Sequence, residues 1–273
     1  MPALYIVATP IGNLEDISLR ALRILREVKL IAAEDTRRTK RLLITYDINT
    51  PMTSYHERNK QAKLSYLLNC LENRDVALVS DAGMPSISDP GYELIVAANQ
   101  RGIPIVPIPG PSAVITALVV SGLPTKRFIY LGFLPRKSND RRSLLESATH
   151  ESGTIIALES PHRLLATLKD ILLVLGDRKV AVCRELTKVY EEVFRGAISQ
   201  AIEHFVQPRG EFTLVIEGKR EKEQLSLTAD IERQLHHMQL SGVTAKQAIA
   251  QIASETGLSK KELYRAWLEV AKS

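Results

Sequence analysis

Cysteine is scarce in this 273-residue chain. Cys70 and Cys183 stand far apart, outside any CxxC pair or Cys/His ligand spacing, which argues against a disulfide framework and against a zinc site. No metal-binding set is expected. Long apolar runs are missing too: none reaches about 18 residues, the length a helix needs to cross a bilayer. The opening MPALYIVATPIGN passes directly into a strand-like run, without a basic segment and small-residue cleavage site. The expectation is a cytoplasmic protein, neither exported nor membrane-spanning. The chain also lacks GxGxxG after its first strand, GxxxxGK[ST], HExxH and GxSxG, which disfavours a usual dinucleotide or P-loop site. Internal repeats and low-complexity tracts are absent.

What is present is ample apolar content, 45%, enough for one large domain or two of ordinary size. Lys and Arg exceed Asp and Glu by 36 to 31, a net charge of +5. That excess permits a polyanionic partner without requiring one.

Short β-rich runs alternate with amphipathic helical patterns through the first half. LYIVAT, KLIAAED, VALV and IPIVPI read as strands; ISLRALRILREV, TKRLLITY, QAKLSYLLNCLEN, YELIVAANQRG and PSAVITALVVSG read as helices. Alternation of this kind predicts right-handed βαβ crossovers and a parallel sheet, and uniformly apolar strands fit a sheet covered on both faces. KSNDRR, just past Pro135, reads as an exposed linker near the domain junction. Beyond it strands sometimes follow one another without a helix, which predicts a mixed sheet. From about Leu225 the chain reads as helical. The predicted fold class is α/β in two domains, a mainly parallel N-terminal sheet over 1–122 and a mixed C-terminal sheet over 123–220. A helical C-terminal appendage follows over 221–273. Its segments TAKQAIAQIASET and SKKELYRAWLEV, joined at TGLS, suggest a helix-turn-helix with Thr244 and Ser259 as N-caps and with Trp267 and Leu268 in its core.

In an open parallel sheet, ligands bind beyond the carboxyl ends of the strands. Three strands of the first half end in ATPIGN, SDAGMPSISDPG and PIPGPSA, all rich in Gly, Pro and small residues. Gly and Pro also simply terminate strands. Three such loops at one sheet edge, however, let backbone groups approach a nucleoside-like ligand closely.

The ordered set ATPIGNLEDIS, AAEDTR, SDAGMPSISDPG, PGPSA, GFLPRK, ESPHR and RELTK resembles the tetrapyrrole methylase superfamily. Within it, the set is similar to the branch that methylates cytidine 2'-hydroxyls in the decoding region of small-subunit ribosomal RNA. The likeness runs from about Leu4 to Gly218, with Met84 and Ser86 where the pattern has Thr and Leu, and Arg58 where it has His. It implies a two-domain tetrapyrrole-methylase-like fold, S-adenosylmethionine in the cleft between the domains, and a homodimer. It further implies that Pro10, Asp81, Ala82, Gly83, Ser86, Ile87, Ser112 and Ala113 contact the cofactor from the first domain, and Glu185, Leu186 and Thr213 from the second. Naked RNA and the assembled small subunit both remain open as substrates. So do two other readings, a small-molecule methylase of tetrapyrrole type and a non-catalytic RNA-binding assembly factor.

Methyl transfer to a ribose hydroxyl depends on alignment, aided by a base or by a cation that stabilises the alkoxide. Lys188, Glu191 and Asp35, near predicted strand ends, are the catalytic candidates, each also explicable as part of a surface ion pair. Arg37 with Arg38, Lys40 and Arg41 forms one basic cluster; Lys126, Arg127, Arg136, Lys137, Arg141 and Arg142 form another. Both are candidate RNA contacts, as is Arg163. Tyr55, His56 and Asn59 could stack on or read an unpaired base, or could form a hydrogen-bonded turn.

Overall fold

The computed structural model describes residues 1–219, 229–256 and 258–270, and divides into two compact units, Met1–Gly218 and Lys219–Ser273. In the first unit, β1 (Leu4–Val7), β2 (Leu30–Ala33), β3 (Met52–Ser54), β4 (Val76–Val79) and β5 (Ile105–Ile108) form a sheet in the order β3-β2-β4-β1-β5. Every pairing in it is parallel. Helices α1 (Leu19–Glu27), α2 (Thr36–Thr45), α3 (Lys60–Asn73), α4 (Tyr92–Gln100) and α5 (Ala113–Ser121) make the crossovers and the exit from the sheet. The two-residue period of the strands divides their side chains between two cores. Val7, Ile31, Ala33 and Val79 pack against α1 and α2, whereas Leu4, Ile6, Leu30 and Leu78 pack against α3 and α4.

The second sheet runs in the order β6-β7-β10-β8-β9 and comprises β6 (Phe128–Phe133), β7 (Thr154–Glu159), β8 (Lys179–Arg184), β9 (Glu192–Ala197) and β10 (Phe212–Ile216). Only β6 and β7 pair in parallel there, so the sheet is mixed. Helices α6 (Ser138–Ser147), α7 (Leu164–Leu175) and α8 (Ile198–His204) cover one face. The other face, through Ile156, Ala181 and Val215, packs against Val114, Ala117 and Leu118 of α5. Helix α5 therefore follows the first sheet in the chain and seals the second.

KSNDRR is not an exposed linker: Ser138 to Arg142 open α6. Arg141 is buried there, ion-paired with the equally buried Asp170 of α7, while its Nη1 donates to the carbonyls of Pro135 (3.1 Å) and Arg136 (3.2 Å). A partner 29 residues away turns a polar-looking stretch into a packed helix. Tyr55 is also not available to stack on a base, since its ring is fully buried among Leu67, Leu71 and Leu94.

The second unit contains α9 (Ala229–Leu240), α10 (Ala245–Thr256) and α11 (Lys260–Val270) around Leu235, Ile252, Leu263 and Trp267. The hydroxyls of Thr244 and Ser259 accept from the amides of Gln247 and Glu262, so both cap as expected. Leu268, expected in this core, is 45% exposed, because it lies one residue round the helix from Trp267. The expected helical onset near Leu225 and Gly257 of the TGLS turn lie outside the described residues. Among the described residues, no helix is long and apolar enough to cross a membrane.

Candidate functional site

The three small-residue loops leave three neighbouring strands, β4, β1 and β5, and so converge at one sheet edge. Thr9 and Gly83 exchange backbone hydrogen bonds of 2.9 Å each, and the Thr9 hydroxyl donates to the Ser80 carbonyl at 3.1 Å. Gly83 takes φ +78°, a conformation that costs a residue with a side chain extra energy. Ser86 and Ser88 in the loop after β4, and Glu185 and Thr187 after β8, also hold positive φ. Strain concentrated in two facing loops marks a place where backbone placement matters more than local comfort. The loop after β1 meets the loop after β8 with no space to spare: a Cβ on Gly12 would stand 2.5 Å from Lys188 Cγ and 2.8 Å from the Leu186 carbonyl.

These loops and the second sheet enclose a cavity of about 420 Å³. Its apolar wall includes Ile11, Val114, Leu186 and Phe212, and its carboxylates are Glu34, Asp81, Asp89, Glu159 and Glu211, against the single guanidinium of Arg38. Glu34 accepts from the Asp81 amide at 3.1 Å, and Asp81 accepts from the Asp35 amide at 3.0 Å, tying the end of β2 to the loop after β4. Burial, reinforced by the charge of Glu34, pushes the Asp89 carboxyl up to about 7. Glu34 is raised as well, again mainly by burial. The Ser88 and Tyr130 hydroxyls are 2.7 Å apart and join the β4 loop to β6.

A second cavity, about 470 Å³, adjoins the first and shares Ile11, Arg38, Asp81, Ala82 and Glu211 with it. Its cations are Arg38, Arg41 and Lys188. The Lys188 ammonium donates to Glu185 Oε1 and Glu211 Oε2, both at 2.9 Å. Burial opposes its charge, but those two carboxylates outweigh burial and raise its pKa above the usual lysine value. Lys188 is thus a fixed cation rather than a base at neutral pH.

Of the residues singled out in the sequence, Asp81, Ala82, Gly83, Ile87, Ser112, Ala113, Leu186 and Thr213 line the first cavity. Pro10 lines the second with Lys188. Ser86 and Glu185 line neither cavity; Glu185 instead accepts from the Glu211 amide at 2.8 Å and from Lys188. Asp35 caps α2 through the Arg37 amide at 2.9 Å and pairs with the Arg37 side chain, which holds its carboxyl down at about 2. Glu191 accepts from the Thr187 amide, bracing the β8 loop. Asn59 accepts from the His56 amide at 2.8 Å and donates to Ser54, so its side chain builds the turn. Arg142 is held by Asp170 at 2.6 Å, and Arg163 donates to the Leu134 carbonyl at 2.6 Å and to Glu159 at 2.8 Å. Arg37, Arg136 and Lys137 are exposed. None of Arg37, His56, Asn59, Arg136, Lys137, Arg142 and Arg163 lines either cavity.

Glu34, Asp89, Tyr130 and Glu211 were not among the sequence candidates. Glu34 adjoins Asp35 in AAEDT, and only the alternation of side chains leaving β2 separates the cavity residue from the helix cap. Glu211 and Tyr130 carry no local signal and are brought in by the second sheet.

The match that decides the family spans residues 3–202 and is to the Tetrapyrrole (Corrin/Porphyrin) Methylases. The chain belongs to this family. Among its relatives, the ribosomal RNA small subunit methyltransferase I of Halalkalibacterium halodurans is 50% identical over 97% of this chain and 94% of that protein. The protein of the same name from Thermotoga maritima is 54% identical over 80% of this chain and all of its own length. Uroporphyrin-III-C-methyltransferase from Thermus thermophilus shares the methylase fold with a TM-score of 0.56 at 20% identity, covering 80% of this chain and 94% of that one. Cobalt precorrin-4 methyltransferase gives 0.57 at 17% identity, with coverage of 79% and 94%.

As in the family, the methyl donor is S-adenosylmethionine. The first cavity fits it chemically. Of its five carboxylates, Glu159 is spent on Arg163 and Glu211 on Lys188, which leaves Glu34, Asp81 and Asp89 for a ligand with two positive centres; apolar walls suit a nucleoside, and Ala82, Gly83 and Ala113 leave room for backbone contacts.

Proposed function

We propose that this protein transfers a methyl group from S-adenosylmethionine to small-subunit (16S) ribosomal RNA, at the 2'-hydroxyl of a cytidine in the decoding region. The observation that carries the reading is the confluence of an acidic, apolar-walled cavity with a second one in which Arg38 and Arg41, unlike the doubly paired Lys188, keep charge to spare beside the shared Asp81 and Glu211. A cationic donor and a polyanionic acceptor call for that division of charge. Two relatives named as ribosomal RNA methyltransferases support the same substrate class.

When bound, S-adenosylmethionine supplies a methyl group on positively charged sulfur, ready for in-line displacement. Glu34, Asp81 and Asp89 hold the cation, while Ile11, Val114, Leu186 and Phe212 keep water from its apolar part. Alignment of the ribose oxygen then contributes most of the rate. Lys188 lines the second cavity, stays protonated between Glu185 and Glu211, and has one N–H left to donate to a developing alkoxide. Asp35 and Glu191 act indirectly, by fixing α2 and the β8 loop. The enzyme works in the cytoplasm as a homodimer, with the exposed Arg37, Arg136 and Lys137 adding diffuse attraction for RNA.

The test is incorporation of labelled methyl from S-adenosylmethionine into unmodified small subunits, beside free RNA and a tetrapyrrole, followed by nucleoside analysis. Label recovered as 2'-O-methylcytidine is the expected result. Label in the tetrapyrrole alone would refute the ribosomal reading and leave the donor site standing.

A further inference from the structure

The basic cluster of α2 is not uniform. Arg37 turns away to pair with Asp35, and Lys40 points to solvent. Arg38 and Arg41, three residues apart and so on one helix face, both line the second cavity. Their commitments differ from that of Lys188, which is neutralised by two carboxylates. Arg41 has no ion-pair partner among the described residues. Arg38 has one, Asp81, at 3.4 Å and with a single nitrogen, leaving most of its guanidinium donors unspent. Arg38 also reaches the first cavity, whose other charged residues are all acidic.

Resting on the function proposed above, we infer that the second cavity is the acceptor subsite, and that Arg38 and Arg41 clamp a backbone phosphate next to the methylated ribose. A phosphate held there would place the ribose at the seam where the two cavities meet. The planar fork of each guanidinium matches a phosphodiester, and two forks from successive turns fix its direction as well as its position. The same clamp demands an unpaired nucleotide, because a cavity of about 470 Å³ admits a splayed-out residue and not a helix. Arg41 is on this account a pure acceptor contact. Arg38 bears on both ligands, since it also restrains Asp81 in the donor cavity.

The experiment is steady-state methylation of unmodified small subunits across a series of KCl concentrations, with Arg41→Gln, Arg38→Gln and, as a surface control, Arg101→Gln just past the end of α4. Donor affinity is measured separately by calorimetry. Arg41→Gln is expected to raise KM for subunits about tenfold and to lower the slope of log affinity against log salt by about 1, with donor affinity unchanged. Arg38→Gln is expected to shift both KM for subunits and donor affinity. A wild-type KM and salt slope in Arg41→Gln, while the unmodified enzyme methylates subunits normally, would overturn the clamp alone. Absence of transfer by the wild-type enzyme would overturn the ribosomal reading and the clamp with it.

Discussion

Replacing Asp89 with asparagine removes a carboxylate from the first cavity, the proposed donor site, while keeping the size of the side chain. Asp89 shares that cavity with Glu34 and Asp81, and Tyr130 lines it from β6. Its carboxyl is raised from 3.8 to about 7, first by burial and then by the charge of Glu34. A full shift of that size corresponds to about 4 kcal/mol at 1.36 kcal/mol per unit. The side chain is only partly buried, and screening brings the figure to roughly 1–2 kcal/mol. Because the folded protein holds this proton more tightly than the unfolded chain, its contribution to stability is complete below pH 3.8. It is lost as pH rises through about 7. Urea denaturation without methyl donor, at pH 4.5 and pH 8, should therefore show Asp89→Asn gaining about 1–2 kcal/mol on the wild type between the two conditions. Donor affinity at pH 8 should fall in the same variant, since a cation loses its partner. Equal stability differences at both pH values would refute the account of Asp89 as a carboxylate strained by its surroundings.

Three further outcomes follow from the geometry. Gly12→Val should destabilise the protein by about 1–3 kcal/mol and weaken donor binding, read by thermal denaturation with and without donor, because its side chain would strike Lys188 and the Leu186 carbonyl. Asp170→Ala should cost about 3–5 kcal/mol in chemical denaturation, as it strands the buried Arg141 without its counter-ion. Lys188→Met should lower kcat roughly 10–100-fold while leaving the pH profile near neutrality unchanged, because Glu211 and Glu185 already keep the lysine charged. Wild-type turnover in that variant would remove Lys188 from the chemistry.

Strands β1, β2, β4 and β5 were legible because their runs are apolar, and helices α1, α2 and α5 because each carries a capping side chain, Ser18, Asp35 and Ser112. Strand β3 was not, being three half-buried residues at the sheet edge after Pro51. The loops that line the first cavity were readable from their small residues, since close backbone approach leaves a compositional trace. Charged residues were read less well. Arg141 and Arg142 resembled an RNA contact, yet both answer to Asp170. Asp35 was favoured over its neighbour Glu34, although the helix cap consumes the former and the cavity receives the latter. In each case a partner distant in sequence decides, and local pattern does not carry that information.

Helix α5 belongs by chain order to the first sheet and by burial to the second, and this bears on how the protein can be taken apart. A fragment ending at Gly122 would carry Val114, Ala117 and Leu118 into water, and the complementary piece would bare Ile156, Ala181 and Val215. Neither would be a sound module for grafting or for split-reporter work. Mixed together, however, the two pieces present matching apolar faces, so reassembly of the halves would itself rebuild the first cavity, and recovered methyl transfer would report their meeting.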